Sequence, residues 1–155
     1  MGADIPHVLC AHRGNTPVLV HNCDTNYKDV SLGLRGSNDE LRKFADGNGY
    51  THFLDDTRDD ALANVHHVAN NHPSATIHVR MDGFRTEDGR GTNASPAELF
   101  EDFYREGGGD NWITTQREMN ILGRAVRLGN RDWDSIKFTM NGQDAGFPRP
   151  GYLGG

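Results

Sequence analysis

Three consecutive residues near the N-terminus have types and an order that can break a peptide bond. His21, Asn22 and Cys23 follow a short apolar stretch. In this order the Asn side-chain amide attacks its own backbone carbonyl, the His assists the proton transfer, and the bond before the Cys breaks. We therefore predict an autocleavage junction between Asn22 and Cys23. The alternative is an ordinary strand followed by an Asn-Cys turn.

The stretch that leads into this junction, Asn15 to Asn22, resembles the end of the Hint domains that precede toxin modules in RHS-type polymorphic toxins. There a similar Thr-Pro-Val-Leu-Val-His-Asn closes the domain. A whole Hint domain needs far more chain than these 22 residues, including an N-terminal nucleophile. Residues 1–22 are therefore interpreted as a Hint-end remnant or leader, residues 23–142 as a toxin domain, and residues 143–155 as a loose C-terminal tail.

A second group of candidate residues joins the start of a helix to the end of a strand. Thr115-x-x-Glu118 opens a predicted helix, and Asp82-Gly83 follows a predicted strand. This arrangement resembles that of nucleoside deoxyribosyltransferases and related nucleotide N-glycosidases. The resemblance implies that Glu118 stabilises or captures the oxocarbenium charge of a breaking N-glycosidic bond, while Asp82 binds ribose hydroxyls or handles protons. Thr115 completes the catalytic set.

Three further side chains are predicted to contact the substrate. Trp112 comes just before the helix that carries Glu118 and is expected to stack on a nucleobase or nicotinamide. Arg35 and Arg80 are the predicted polar contacts. No cofactor and no metal are expected. The structural alternative makes Thr115 a helix-cap residue, Glu118 a solvated first-turn acid, and Trp112 a core residue.

Two rival functions stay open. The acidic run Asp55 to Asp60 has the oxygen ligands that Mg²⁺ prefers, and Asp55 and Asp56 with a histidine would suit a nuclease. The histidines at 66, 67, 72 and 78 are the candidates, although the neighbours at 66 and 67 point about 100° apart on a helix. The third possibility is a toxin or binding module that is not an enzyme.

Composition and missing motifs exclude several other classes. Twenty-two Asp and Glu against 16 Lys and Arg give a net charge of −6, which disfavours a stable complex with nucleic acid. The two cysteines, Cys10 and Cys23, both precede the main body and exclude a multi-cysteine zinc site there. Glycine-rich dinucleotide, P-loop and Gly-x-Ser-x-Gly motifs are absent. No apolar run is long enough to cross a membrane.

Short motifs across the body resemble the toxin module known as polymorphic toxin type 27. They are Leu32-Gly33-Leu34-Arg35, Leu41 with Phe44-Ala45, Asp82-Gly83, and Trp112 with Thr115 and Glu118. The resemblance implies a warhead of a larger secreted bacterial protein, delivered into the cytoplasm of a competing cell and blocked in its producer by an immunity protein. We expect the warhead to be a monomer. The resemblance implies no reaction, so the N-glycosidase expectation, with NAD or a nucleotide as substrate, rests on the helix and strand motifs.

The order of periodic segments predicts an α/β sandwich of two or three layers with about four strands and four helices. Strands are expected at Val30–Leu34, Tyr50–Leu54, Thr76–Met81 and around Ile136–Met140. Capping boxes at Ser37 and Ser95, the acidic run before residue 60, and Thr114 are expected to start the helices. The alternation of apolar and polar residues in the last two strands keeps α+β as the alternative.

Overall fold

The computed structural model describes residues 10–13, 16–18, 27–83, 114–146 and 148–153. An antiparallel pair, β1 (Cys10–Arg13) and β2 (Thr16–Val18), precedes the main body. The main sheet has the order β3 (Asp29–Gly33), β4 (Thr76–Arg80), β5 (Ile136–Met140) and β6 (Gln143–Ala145). Because β3, β4 and β5 are mutually parallel and helices connect the strands, the α/β prediction is confirmed.

Three α-helices lie in the described part of the chain: α1 (Glu40–Asn48), α2 (Arg58–Asn71) and α3 (Thr114–Arg127). Helices α2 and α3 pack on each other and bury Val65, Val68, Met119 and Leu122 against the sheet. Short 3₁₀ turns occupy Trp133–Ser135 and Gly151–Leu153. None of the described helices has the length and apolar character needed to cross a membrane.

The two faces of β4 explain its alternating sequence. Ile77 and Val79 are buried in the core beneath α2 and α3. His78 points to the opposite face, where its ring stacks on Tyr50 with centroids 3.9 Å apart, and Tyr50 in turn contacts Phe44 of α1. A parallel strand in the middle of the sheet can therefore alternate, since one face is covered by aliphatic residues and the other by a polar and aromatic cluster.

The two connections that follow β3 cross the sheet in opposite directions. The backbone of Thr51 pairs in parallel with Val30 on one side of β3, and β4 pairs on the other side. The connection through α1 therefore runs outward from β3, and the connection through α2 returns past it. In open α/β sheets this topological switch leaves a crevice at the carboxyl end of the strand, where ligands commonly bind.

Several sequence predictions need correction. The strand predicted at Tyr50–Leu54 is reduced to the single bridge at Thr51. The capping box predicted at Ser37 is not formed as such: Asp39 is the N-cap residue in a left-handed conformation, while the Glu40 carboxylate accepts the backbone N–H of Asn38. The helix predicted after Ser95 lies outside the described residues.

The predicted loose tail after residue 142 is also corrected. Residues 143–145 form β6, which pairs antiparallel with β5 through a turn at Asn141 and Gly142. Both turn residues have positive φ, 53° and 78°, as a type I′ hairpin requires. Farther along, Leu153 is buried in the core cluster. The segment is thus part of the folded domain, because it adds a strand and a core side chain.

Candidate active site

A cavity of about 390 Å³ opens at the carboxyl end of β3, at the topological switch. Its floor is the end of that strand and the loop that follows, from Ser31 to Arg35. Leu41 of α1 and Phe53 close one side, and the start of α3 closes another. Three elements that are distant in sequence thus meet where an α/β fold usually holds its ligand.

Glu118 lines this cavity from the second turn of α3. Its side chain is only 7% exposed, and no described residue donates a hydrogen bond to its carboxylate. Burial raises the pKa of Glu118 from an ordinary 4.5 to about 8, because the charged form loses its hydration. The interpretation of this residue as a solvated first-turn acid is therefore wrong, and at neutral pH the side chain is a neutral acid.

Thr115 holds the start of α3 against the end of β3. Its hydroxyl donates a 3.0 Å hydrogen bond to the backbone carbonyl of Gly33, and the side chain is buried. Gly33 itself has a φ of 147°, and a Cβ there would lie 2.6 Å from the carbonyl oxygen of Arg80. Thr115 therefore lines the same cavity as Glu118, but its hydroxyl proton is committed to positioning the helix.

Charged groups of both signs line the rest of the cavity. Arg35 donates one hydrogen bond of 2.7 Å to the carbonyl of Leu54. Arg58 lies at the first position of α2, and Asp56 lies two residues before it, where its carboxylate accepts a 2.9 Å bond from Asn64. The cavity thus offers both guanidinium groups and carboxyl groups to a ligand.

A row of aromatic and histidine rings, packed edge to face, leads away from the cavity at Phe53. The rings of Phe53 and Tyr27 have centroids 6.1 Å apart, and those of Tyr27 and His72, which meet edge-on, have centroids 5.1 Å apart. Burial, with a smaller contribution from Asp56, raises the pKa of Tyr27 to about 12. His72 continues the row to His67 with a 3.2 Å contact between the two Nε2 atoms. The Phe53 ring, which lines the cavity, therefore packs against Tyr27.

Asp82 and Arg80 do not line the cavity. One Asp82 oxygen accepts the backbone N–H of Asn141 at 2.8 Å, and the other lies 3.3 Å from an Arg80 nitrogen. Asp82 thus supports the turn between β5 and β6, and Arg80 pairs with it. Of the predicted site residues, the structure brings together Glu118, Thr115 and Arg35, and it places Asp82 and Arg80 at the neighbouring hairpin.

The residues predicted for the alternative nuclease function do not form one site. Asp55 forms a two-point ion pair with Arg42, at 2.8 and 3.0 Å, which lowers the pKa of that exposed carboxyl. Asp56 lines the cavity, whereas Asp55 does not. His78 hydrogen-bonds Asp29 at 2.8 Å on the far face of the sheet. Within the described ranges, no group of three or more metal-ligating side chains comes together.

Trp112 and the junction residues His21, Asn22 and Cys23 lie outside the described residues. The cavity also contains residues that sequence reasoning missed, chiefly Ser31 and Phe53. Both residues could have been predicted from their position beside the carboxyl end of β3. That position marks a ligand site only once the pairing of Thr51 with Val30 shows that β3 has neighbours on both sides, so that the topological switch lies there.

Comparison of the chain with protein-family models, with curated proteins and with solved structures found no match. Its function must therefore be inferred from the geometry of the cavity.

Proposed function

We propose that this domain is a toxin enzyme that hydrolyses an N-glycosidic bond of NAD or another nucleotide. The single observation that carries the proposal is Glu118, a buried carboxyl group that no described residue pairs with and that lines a cavity at the switch point of the sheet. Buried ionisable groups with strongly shifted pKa values concentrate at functional sites, because catalytic acids and bases need pKa values that differ from those in water.

The chemistry follows from charge development at the sugar. As the bond from the anomeric carbon to the base nitrogen breaks, its electron pair leaves with the base and the ribosyl ring becomes positively charged. The Glu118 carboxylate, which is buried and poorly hydrated, stabilises that charge more strongly than an exposed carboxylate would. Its proton must first leave, either to the departing base or to solvent. Water then adds to the anomeric carbon and loses a proton.

The other cavity residues fit a nucleotide. Phe53 and the leucines that line the cavity, Leu32 and Leu41 among them, provide apolar walls for a planar base. Arg35 and Arg58 provide cationic groups for phosphate. Asp82 has no catalytic part in this proposal, because its carboxylate supports a hairpin turn.

The toxin context and its partners belong to the same proposal. The domain would act in the cytoplasm of a target cell after release from a larger secreted protein, and an immunity protein would protect the producer. These expectations rest on the resemblance of the junction and body motifs to polymorphic toxins.

The test is the metabolite and nucleic-acid profile of bacteria that express the chain without any immunity protein. We expect growth arrest with loss of NAD or of a nucleotide pool and release of the free base. Cleaved nucleic acid with intact nucleotide pools would replace the proposal with the nuclease alternative. Normal growth with confirmed folded protein, or arrest with both pools unchanged, would overturn the enzymatic proposal in favour of a non-enzymatic module.

A further inference from the structure

Two buried polar side chains of the cavity lack partners in the described part of the chain. The Ser31 hydroxyl is on a residue 1% exposed and makes no hydrogen bond, and no described residue bonds the Glu118 carboxylate. Buried polar groups are nearly always paired, since leaving one unpaired costs the full price of its desolvation. Both groups line the same cavity, so a ligand that enters it is positioned to pair with them.

The charges around the cavity narrow the kind of ligand. Besides Glu118, the charged groups that line it are Arg35 from the loop after β3, Asp56 from the segment before α2, and Arg58 from the start of α2. The lining therefore holds two guanidinium groups and two carboxyl groups, and Glu118 becomes the second negative charge only when it loses its proton. In the low dielectric of a buried site, a ligand cation beside a carboxylate is favoured far more than in water. A ligand with one positive and one negative end matches this lining better than a uniformly charged one.

We infer that the cavity binds a pyridinium nucleotide, with the cationic ring at Glu118 and the phosphate at Arg35 and Arg58. This inference rests on the proposed function and names its substrate class. The apolar wall of Phe53 suits a flat ring. Arg35 donates one of its five N–H groups to the Leu54 carbonyl, and its other N–H groups can donate to phosphate oxygens. A base that is already cationic needs no proton to leave.

Binding of such a cation must displace the proton of Glu118. The bond from the anomeric carbon to the pyridinium nitrogen can then break with its electron pair going to the ring, which becomes neutral, while the waiting carboxylate stabilises the ribosyl cation. A neutral base would instead leave the carboxyl group protonated in the complex. Proton release on binding therefore distinguishes the two kinds of substrate.

The experiment is calorimetric titration of the whole chain with N1-methylnicotinamide, a pyridinium without a glycosidic bond, and with neutral nicotinamide as the matched control. Measurements are made from pH 6 to 9 in buffers of different ionisation enthalpy. We expect about one proton released per bound cation at pH 6–7, and an affinity that rises about tenfold per pH unit before levelling near pH 8. Nicotinamide should release no proton. The Glu118→Gln variant should lose both effects, while Asp144→Asn on β6 should keep them.

The phosphate end is tested with the carbocyclic analogue of nicotinamide mononucleotide, which cannot be hydrolysed. It should bind at least about tenfold more tightly than N1-methylnicotinamide, and Arg35→Gln should remove that advantage. Cation binding without proton release, or equal binding of nicotinamide, would overturn the inference. Because these probes carry no scissile bond, the proposed function fails separately: proton-linked binding with no hydrolysis of any nucleotide would overturn the function and leave the inference standing.

Discussion

Burial of Glu118 makes the stability of the domain depend on pH in the direction opposite to that of a salt-bridged carboxylate. Its pKa is about 8 in the folded chain and about 4.5 when solvated. Between these values the folded state holds a proton that the unfolded state has released. The contribution to stability is therefore fully present below pH 4.5 and is lost as pH rises through 8, at about 1.4 kcal/mol per pH unit.

Glu118→Gln should remove this dependence, because an amide is neutral at every pH. We expect urea midpoints of the variant to fall less between pH 5 and pH 8 than those of the parent chain, by an amount equivalent to a few kcal/mol. Parallel profiles of the two proteins would show that the Glu118 carboxyl is ionised and solvated in the folded state.

Arg131 is the second residue whose burial has a measurable consequence. Its guanidinium is 3% exposed and donates to the carbonyls of Val68, Ala69, His72 and Ala75. It therefore satisfies the end of α2 and ties it to the start of β4. Removing it leaves several buried carbonyls without a donor.

We expect Arg131→Ala to lower the free energy of unfolding by about 2–4 kcal/mol in urea denaturation. Arg124→Ala, on the exposed side of α3, is the control and should cost less than about 0.5 kcal/mol. A loss for Arg131→Ala no greater than the control would mean that the clamp is not formed in solution.

The contact between β3 and α3 decides the shape of the cavity. Gly33 lies at this contact, and its φ of 147° and its closeness to the Arg80 carbonyl of β4 leave no room for a side chain. Its own carbonyl accepts the Thr115 hydroxyl. A side chain at position 33 should therefore push the end of β3 away from β4 and shift the carbonyl that Thr115 binds, and with it the helix that carries Glu118.

Gly33→Ala and Gly47→Ala form a matched pair of substitutions. Gly47 lies inside α1 with open space around it, so alanine there should stabilise the domain by about 0.5–1 kcal/mol. Gly33→Ala should destabilise it and lower the rate of base release, as thermal melting and chromatography would measure. Wild-type stability and activity for Gly33→Ala would contradict the close approach of β3 and β4.

Sequence periodicity was sufficient for most of the described elements, but not for Tyr50–Leu54, which forms only a single bridge. The strand alternation at Ile77 and Val79 predicts β4, and the apolar stripe with Leu122 and Val126 predicts α3. The turn at Asn141 is also readable, since Asn-Gly after an alternating strand favours a hairpin, yet the prediction made the segment a loose tail.

The candidate site was predictable only in part, because periodicity assigns residues to faces without saying what covers each face. The spacing of Thr115 and Glu118 predicts that they share one side of a helix. That this side meets the end of β3 depends on contacts 82 residues apart. Asp82 was misplaced for the same reason: its partner, Asn141, lies 59 residues away.

The C-terminal segment completes the core of the domain. Leu153 is 1% exposed and belongs to the same buried cluster as the sheet and helices α2 and α3. Leu128, just after α3, is 72% exposed and provides a control of identical chemistry. The two leucines separate core packing from general effects of substitution.

We expect Leu153→Ala to lower the free energy of unfolding by about 2–4 kcal/mol, because it removes buried methyl groups and leaves a cavity. Leu128→Ala should change it by less than about 0.5 kcal/mol. Chemical denaturation of both variants measures the difference. Equal, small effects would restore the loose-tail interpretation.

The most direct test of the proposed function is the release of free base from nucleotides by the purified chain, with Glu118→Gln beside it. We expect the parent chain to release nicotinamide from NAD, and the variant to be slower by about 100-fold or more, since the variant cannot supply the carboxylate charge. Circular dichroism should show that both are folded. Full activity in Glu118→Gln, or no base release from any nucleotide by the folded parent chain, would contradict the assignment of Glu118 to glycosidic bond cleavage.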